Sequence, residues 1–219
     1  MTQFHNMPVS PSAHPVMTLP RVADAKRAAA GLERWRDLAS QAEDRDLAAA
    51  MFAIAGDDRG RATLDAVLGN SPFLGHCLLA EPAILTSFVA QGADSVLRQL
   101  LADMGRQLAS ETDTGRMMQG LRQARRRAAL LIGLADLTGA WPLERVTGAL
   151  SEFADNCVAL AATHLLRRAA DSGQITVEHP EEPARDSGLV IIAMGKLGAR
   201  ELNYSSDIDL IILFDPEKA

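Results

Sequence analysis

Aromatic side chains are scarce in this chain, 4% of 219 residues. A core built on stacked rings is therefore excluded. With 47% of residues hydrophobic, the core must be mostly Leu, Ala, Val and Ile, the composition of helical bundles. Cysteine is almost absent: Cys77 and Cys157 are the two. Both fall in apolar stretches of helical pattern. That predicts two buried free thiols in a reducing cytoplasm rather than a disulfide. Positive charge is in deficit, 22 basic against 28 acidic residues for a net charge of −6. Such a balance argues against a general nucleic-acid or anionic-membrane binder. No window reaches the ~18 uninterrupted apolar residues that a membrane span needs.

What is present begins with a polar leader, residues 1–20, punctuated by Pro8, Pro11, Pro15 and Pro20. It lacks a basic start followed by an apolar run, so it is not a signal peptide. Disorder is expected there, with His5 and His14 solvated. Residues 21–173 carry helical periodicity and form the expected helical domain. Helices are predicted over 23–42, 46–55, 63–68, 93–109, 115–139 and 143–170, from stripes such as Leu32, Trp35 and Leu38. Gly56 to Gly60 reads as a turn. Ser71-Pro72 opens a helix in the favoured order of cap and first-turn proline. Its expected buried side is Phe73, Leu74, Cys77 and Leu78, and a further helix follows Pro82. On the last long helix, Val146, Leu150, Phe153, Val158, Leu160, Ala161, Leu165 and Leu166 are the expected core face. His164 reads as a core-edge residue. His76 beside Cys77 points about 100° away from it and has no partner pair, which disfavours a metal. Arg122, Arg125, Arg126 and Arg127 read as a solvated helix face with salt bridges. The other reading of that cluster is docking to an acidic surface.

The stretch that carries chemistry lies in residues 174–219, SGLVIIAMGKLGARELNYSSDIDLIILF within it. Leu189 to Met194 is an apolar, β-branched run of strand length. Gly195 breaks it, Lys196 to Leu202 allows one or two helical turns, and Asn203 to Ser206 is turn chemistry. A second strand is predicted over 208–214, entered by Asp207 and Asp209 at i and i+2. Alternate side chains of a strand share a face, so both carboxylates should point the same way. Two like charges so close call for a cation between them. Mg²⁺, a hard ion that prefers carboxylate oxygens, is the natural guest. Gly195 would let backbone N–H groups approach a phosphate. Lys196 would supply a point charge to that phosphate or pair with a nearby acid. Ser205 and Ser206 would bond the phosphate or cap the turn. Arg200 and Glu201 read as ion-paired and structural. Gly195-Lys196 is no Walker loop: no Gly precedes at the right spacing and Leu197 holds the Ser/Thr position. The Asp-x-Asp of sugar-nucleotide glycosyltransferases sits within a larger nucleotide-binding α/β domain, unlike this one after its long helical stretch.

A strand, a Gly corner, a short helix and a strand opened by Asp-x-Asp resemble the DNA-polymerase-β-like nucleotidyltransferases. The longer phrase MGKLGARELNYSSDIDL resembles the motif of the bifunctional glutamine synthetase adenylyltransferase/adenylyl-removing enzymes, which repeat it in each catalytic half. Ala199 departs from that pattern, where a second Gly is usual. SPFLGHCLLAEPAIL is similar to the amino-terminal helical region of the same family. The run from Arg125-Arg126-Arg127 to Ala135-Asp136-Leu137 is also similar. The resemblance implies an α+β, mostly α protein: a helical bundle followed by the first two strands of a nucleotidyltransferase sheet, truncated. It implies Asp207 and Asp209 as catalytic metal ligands, and Gly195, Lys196 and Ser206 as nucleotide-phosphate contacts. Mg²⁺ is then the cofactor, and ATP, ADP and phosphate are substrates or products. Implied partners are glutamine synthetase and a PII-type signalling protein, with no nucleic acid and no membrane. An opening Met and leader match the first, adenylyl-removing copy. There, phosphate would displace AMP from a tyrosine of glutamine synthetase as ADP. With no following strand to supply a third carboxylate, the chain alone is expected to be inactive. The competing expectation is a non-catalytic helical module or truncated gene product that binds glutamine synthetase or the rest of the enzyme.

Overall fold

A computed structural model describes residues 19–215 and Lys218. The leader, apart from Leu19 and Pro20, lies outside the described residues, and so do His5 and His14. The described chain is mostly α. Eight helices precede a small sheet: α1 (Ala25–Gln41), α2 (Arg45–Gly56), α3 (Asp58–Asn70), α4 (Pro72–Ala80), α5 (Pro82–Gln91), α6 (Ala93–Leu108), α7 (Thr114–Leu137) and α8 (Leu143–Asp171). Strand β1 (Leu189–Ala193), the one-turn helix α9 (Gly195–Gly198) and strand β2 (Leu210–Phe214) follow. No single described helix is long and apolar enough to cross a membrane.

Short polar side chains start α1 to α4 and α7 by accepting from otherwise orphaned backbone N–H groups. Asp24 takes the N–H of Arg27, Asp44 those of Asp46 and Leu47, and Asp113 that of Arg116. Ser71 takes the N–H of Leu74 at 3.1 Å, with Pro72 in the first turn as its sequence order predicts. The predicted turn over 56–60 is shorter than expected. Asp57 alone separates α2 from α3: its N–H closes α2 on the Ala53 carbonyl, while its carboxylate caps Gly60 at 2.8 Å. One residue that caps both ways removes the need for a loop.

The apolar side chains gather in three clusters. Trp35, Met51, Leu64, Leu78, Leu85, Leu130 and Leu134 form one, between α1–α5 and α7. Its indole is satisfied, with Nε1 donating to the Met51 carbonyl at 3.0 Å. Leu97, Leu131, Ile132, Trp141 and Val146 belong to the second, between α6, α7 and α8. Met104, Leu108, Met117 and Ala124 make the third. Helix α7 contributes to all three. A helix surrounded in this way is apolar on every side over its buried part, and Leu130 through Ala135 are all buried.

Three expected core positions face solvent instead. Phe73 is 54% exposed, because the short α4 turns Gly75, Cys77 and Leu78 to the core and leaves its first turn at a cleft. Leu165 is exposed because His164, about 100° around the helix, takes the inward direction. Leu38, expected on the apolar stripe of α1, is exposed, and Ala39 beside it takes the inward direction. His164 uses both ring nitrogens, Nδ1 donating to the Glu111 carbonyl at 2.9 Å and Nε2 bonded to Thr114 Oγ1 at 3.0 Å. No ring atom is left over for a metal.

The arginine cluster on α7 divides. Arg126 and Arg127 reach Glu81, at the α4–α5 junction, with N···O distances of 3.2 and 2.7 Å. The Glu81 side chain is only 9% exposed, so this carboxylate depends on its two cations. Arg122 and Arg125 stay exposed along a cleft. Glu81→Ala leaves two guanidiniums facing an apolar junction. The arginines are partly hydrated, which moderates the penalty, and a loss of about 2 kcal/mol is expected in urea unfolding. An unchanged midpoint would show that Glu81 holds nothing.

Candidate functional site

β1 and β2 pair antiparallel, in a register running from Leu189↔Phe214 to Ala193↔Leu210. Both faces are apolar. Ile191 and Ile212 share one face, and Val190, Ile192, Ile211 and Leu213 the other. Most of these are exposed, Phe214 to 70%. Apolar residues on both faces are the pattern of strands covered on both sides. β2 is shorter than predicted: it starts at Leu210, so Asp207 and Asp209 precede the strand rather than lie in it. The cause is α9, which carries the opposite chain away after Ala193 and leaves nothing to pair with residues 207–208. Pairing ends one step beyond the strand, where the Met194 N–H donates to the Asp209 carbonyl at 2.9 Å.

The words of the motif have local physical causes. Gly195 sits at φ +54, a left-handed conformation that costs glycine little. Its Cα faces Asp209, and a Cβ there would stand in ordinary contact, 3.7 Å from Asp209 Oδ2. Gly198 is needed for space, since a Cβ would meet the Ala193 carbonyl oxygen at 2.4 Å. The helix ends on two bonds, Arg200 N–H to the Leu197 carbonyl and Glu201 N–H to the Lys196 carbonyl. That is a Schellman ending, with Arg200 at φ +59 in the place glycine usually takes. Its guanidinium pairs with Asp155 of α8 at 3.0 Å, as a structural ion pair should. Asn203 Oδ1 accepts from the Ser205 N–H at 3.1 Å and from Ser206 Oγ at 2.7 Å. Both serines thus serve the turn. Lys196 is exposed and forms none of the ion pairs seen among the described residues.

The Gly corner and the Asp-x-Asp segment therefore stand side by side. Asp207 and Asp209 are exposed, hard oxygen donors two residues apart, and the neighbouring backbone carries no Cβ at its nearest point. This donor set suits a divalent cation such as Mg²⁺. Behind the turn, on the bundle side, lies a cavity of about 690 Å³. Leu74, Leu121, Leu150 and Phe153 line it, together with Tyr204, Ser206 and Ile208; Asp207 and Asp209 do not. Cys157 also lines it, with its thiol pushed up to about 11 by burial, so it stays protonated and a poor nucleophile. Elsewhere, the ligand atoms of Glu178, His179 and Asp186 lie within 4.8 Å of one another. Arg185 Nε stands 3.7 Å from Asp186 there, so a cation already serves that group.

Sequence periodicity did not disclose the bundle residues that hold the motif: Asp136, Ser151 and Asp155. They lie 45 to 68 positions away from their partners. The resemblance had touched only Asp136, as part of an Asp-Leu helix.

A family model described as glutamate-ammonia ligase adenylyltransferase matches residues 61–219. The chain belongs to this family. The bifunctional glutamine synthetase adenylyltransferase/adenylyl-removing enzyme of Bradyrhizobium diazoefficiens is 36% identical over 215 residues, 97% of this chain and 22% of the relative. The protein of the same name from Xanthobacter autotrophicus is 45% identical over 150 residues, 68% of this chain and 15% of the relative. That of Brucella suis is 37% identical over 199 residues, 89% of this chain and 20% of the relative. The chain thus spans about a fifth of the length of the curated adenylyltransferases it matches.

Gly198 and Ala199 then separate by cause. Gly198→Ala drives a methyl into the Ala193 carbonyl and is expected to cost about 2 kcal/mol in thermal or urea unfolding of this segment. Ala199→Gly, which removes only a helix-end methyl, is expected to cost less than about 1 kcal/mol. Equal effects would contradict the steric reading.

Proposed function

We propose that this chain is part of an enzyme that controls glutamine synthetase by adenylylation and deadenylylation, and that its site removes AMP from the adenylylated tyrosine. The observation that carries this reading is the Gly195 corner beside Asp209, within the stretch that the adenylyltransferase family model matches. The helical segment from Ser71 to Leu85, similar to the amino-terminal region of the family, favours the removing direction.

In that reaction an oxygen of inorganic phosphate bonds to the adenylyl phosphorus. The bond from phosphorus to the tyrosine oxygen breaks, ADP leaves, and the tyrosine takes up a proton. Asp207 and Asp209 would hold Mg²⁺, which supplies positive charge to the oxygens on which negative charge builds. The Gly195 backbone would approach the phosphate without a Cβ in the way. Lys196, exposed and uncommitted, would add a positive charge at the same phosphate. Ser206 is turned toward Asn203 and serves the turn first, so its phosphate contact would require that bond to open. A PII-type protein as the regulator of direction, and a cytoplasmic location, belong to the same reading.

For the 219-residue chain by itself, the exposed apolar faces of both strands favour a second reading. Taken alone it would bind without turnover, because a sheet open on both sides does not hold a site rigidly.

The test uses the longest polypeptide its reading frame encodes, adenylylated glutamine synthetase, Mg²⁺ and phosphate. ADP release is expected, falling by about 100-fold or more in Asp207→Asn and in Asp209→Asn. Release at the wild-type rate by both variants would overturn the assignment.

A further inference from the structure

The segment from α9 to β2 touches the helical bundle through a few polar contacts. Arg200 pairs with Asp155 on α8. The Leu202 N–H donates to Ser151 Oγ at 3.3 Å, and that buried hydroxyl donates in turn to the Thr147 carbonyl at 2.9 Å. Leu197 and Leu202 are buried beside these contacts. The third contact lies nearest the acids. Tyr204 Oη donates to Asp136 Oδ2 at 3.1 Å, three residues before Asp207.

Two features make this third contact decisive. Behind the turn is the cavity of about 690 Å³, with Asn203, Tyr204, Ser205 and Ser206 in its wall. Packing therefore does not fix the turn from the bundle side. Meanwhile Asn203 ties Ser205 and Ser206 into one unit. A rigid turn without packing behind it moves as a piece, and the Tyr204–Asp136 bond is the nearest thing that stops it. Asp136 is well placed to act as a stop. It follows Leu134 and Ala135, both fully buried on α7, so its backbone is held by the core. Desolvation in the cleft, followed by the Asp136 carboxylate, raises the pKa of the Tyr204 hydroxyl, which keeps it a donor.

We propose that Tyr204 and Asp136 are positioning residues: their hydrogen bond clamps the 203–206 turn to α7 and so sets the spacing at which Asp207 and Asp209 present their carboxylates to a divalent metal. This rests on the metal-site reading above and goes beyond it by tying the geometry of the site to the core of the bundle.

The experiment measures Mn²⁺ binding to the full polypeptide by the electron paramagnetic resonance of free Mn²⁺. The sites counted are those that Asp207→Asn removes. Tyr204→Phe keeps the ring and loses the donor, while Asp136→Ala loses the acceptor. Each is expected to weaken binding about three- to tenfold with an unchanged melting temperature. The double variant is expected to be no weaker than either single one, since both break the same bond. Asp136→Asn keeps an acceptor oxygen and is expected to bind within about twofold of wild type. Wild-type affinity in Tyr204→Phe and Asp136→Ala, or losses that multiply in the double variant, would overturn the clamp alone. A wild type that binds no Mn²⁺, or an Asp207→Asn variant that binds as well as wild type, would overturn the metal-site reading and the clamp with it.

Discussion

The burial of α7 is the constraint on which the rest of the structure depends. Six consecutive residues, Leu130 to Ala135, have no face toward water. A helix that gives side chains to three separate clusters cannot rotate or slide without disturbing all of them. Its polar residues therefore stand at fixed points around a fixed axis. Arg126 and Arg127 lock the α4–α5 junction through Glu81 at one level. Asp136, a few turns further on, meets the motif segment through Tyr204. The scarcity of aromatic residues fits this arrangement, because close packing around a central rod favours Leu, Ile and Ala over rings.

The motif itself brings the Asp209 carboxylate next to bare backbone, with Asp207 two residues before it. Gly195 turns the chain in a left-handed conformation, and Gly198 lets the short helix press against the end of β1. Arg200 closes that helix where glycine is commoner, and its pair with Asp155 offsets part of the conformational cost. Asn203 then ties the turn that delivers Asp207 and Asp209 to the Gly corner. These steps are local, so a short phrase encodes them. What the phrase does not encode is where this unit sits on the bundle. That depends on Leu197 and Leu202 finding apolar surroundings and on three side chains far away in the chain.

This division explains what was legible in the sequence. Caps such as Ser71 and helical stripes such as Leu32 and Trp35 act within a few residues, and the structure follows them. The mostly α class, the strand pair and the Gly–Asp juxtaposition were readable for the same reason. Leu38, Phe73 and Leu165 misled because periodicity reports a face and not its neighbours; a cleft or open solvent can lie beyond it. The late start of β2 misled because an apolar pattern marks strand propensity, whereas a strand also needs a partner, and α9 removes it. Periodicity was silent on Asp136, Ser151 and Asp155 because their partners lie 45 to 68 residues away. Only the fold brings them to the motif.

The central claim is that the Gly corner and Asp207 with Asp209 form a divalent-metal site held against the helical bundle. Crystals of the full polypeptide soaked in Mn²⁺ test it most directly, by anomalous scattering at the manganese edge. The account predicts an anomalous peak within about 2.5 Å of carboxylate oxygens from both aspartates, beside the Gly195 backbone. Anomalous density at other carboxylates, with Asp207 and Asp209 bare in the same crystal, would contradict it.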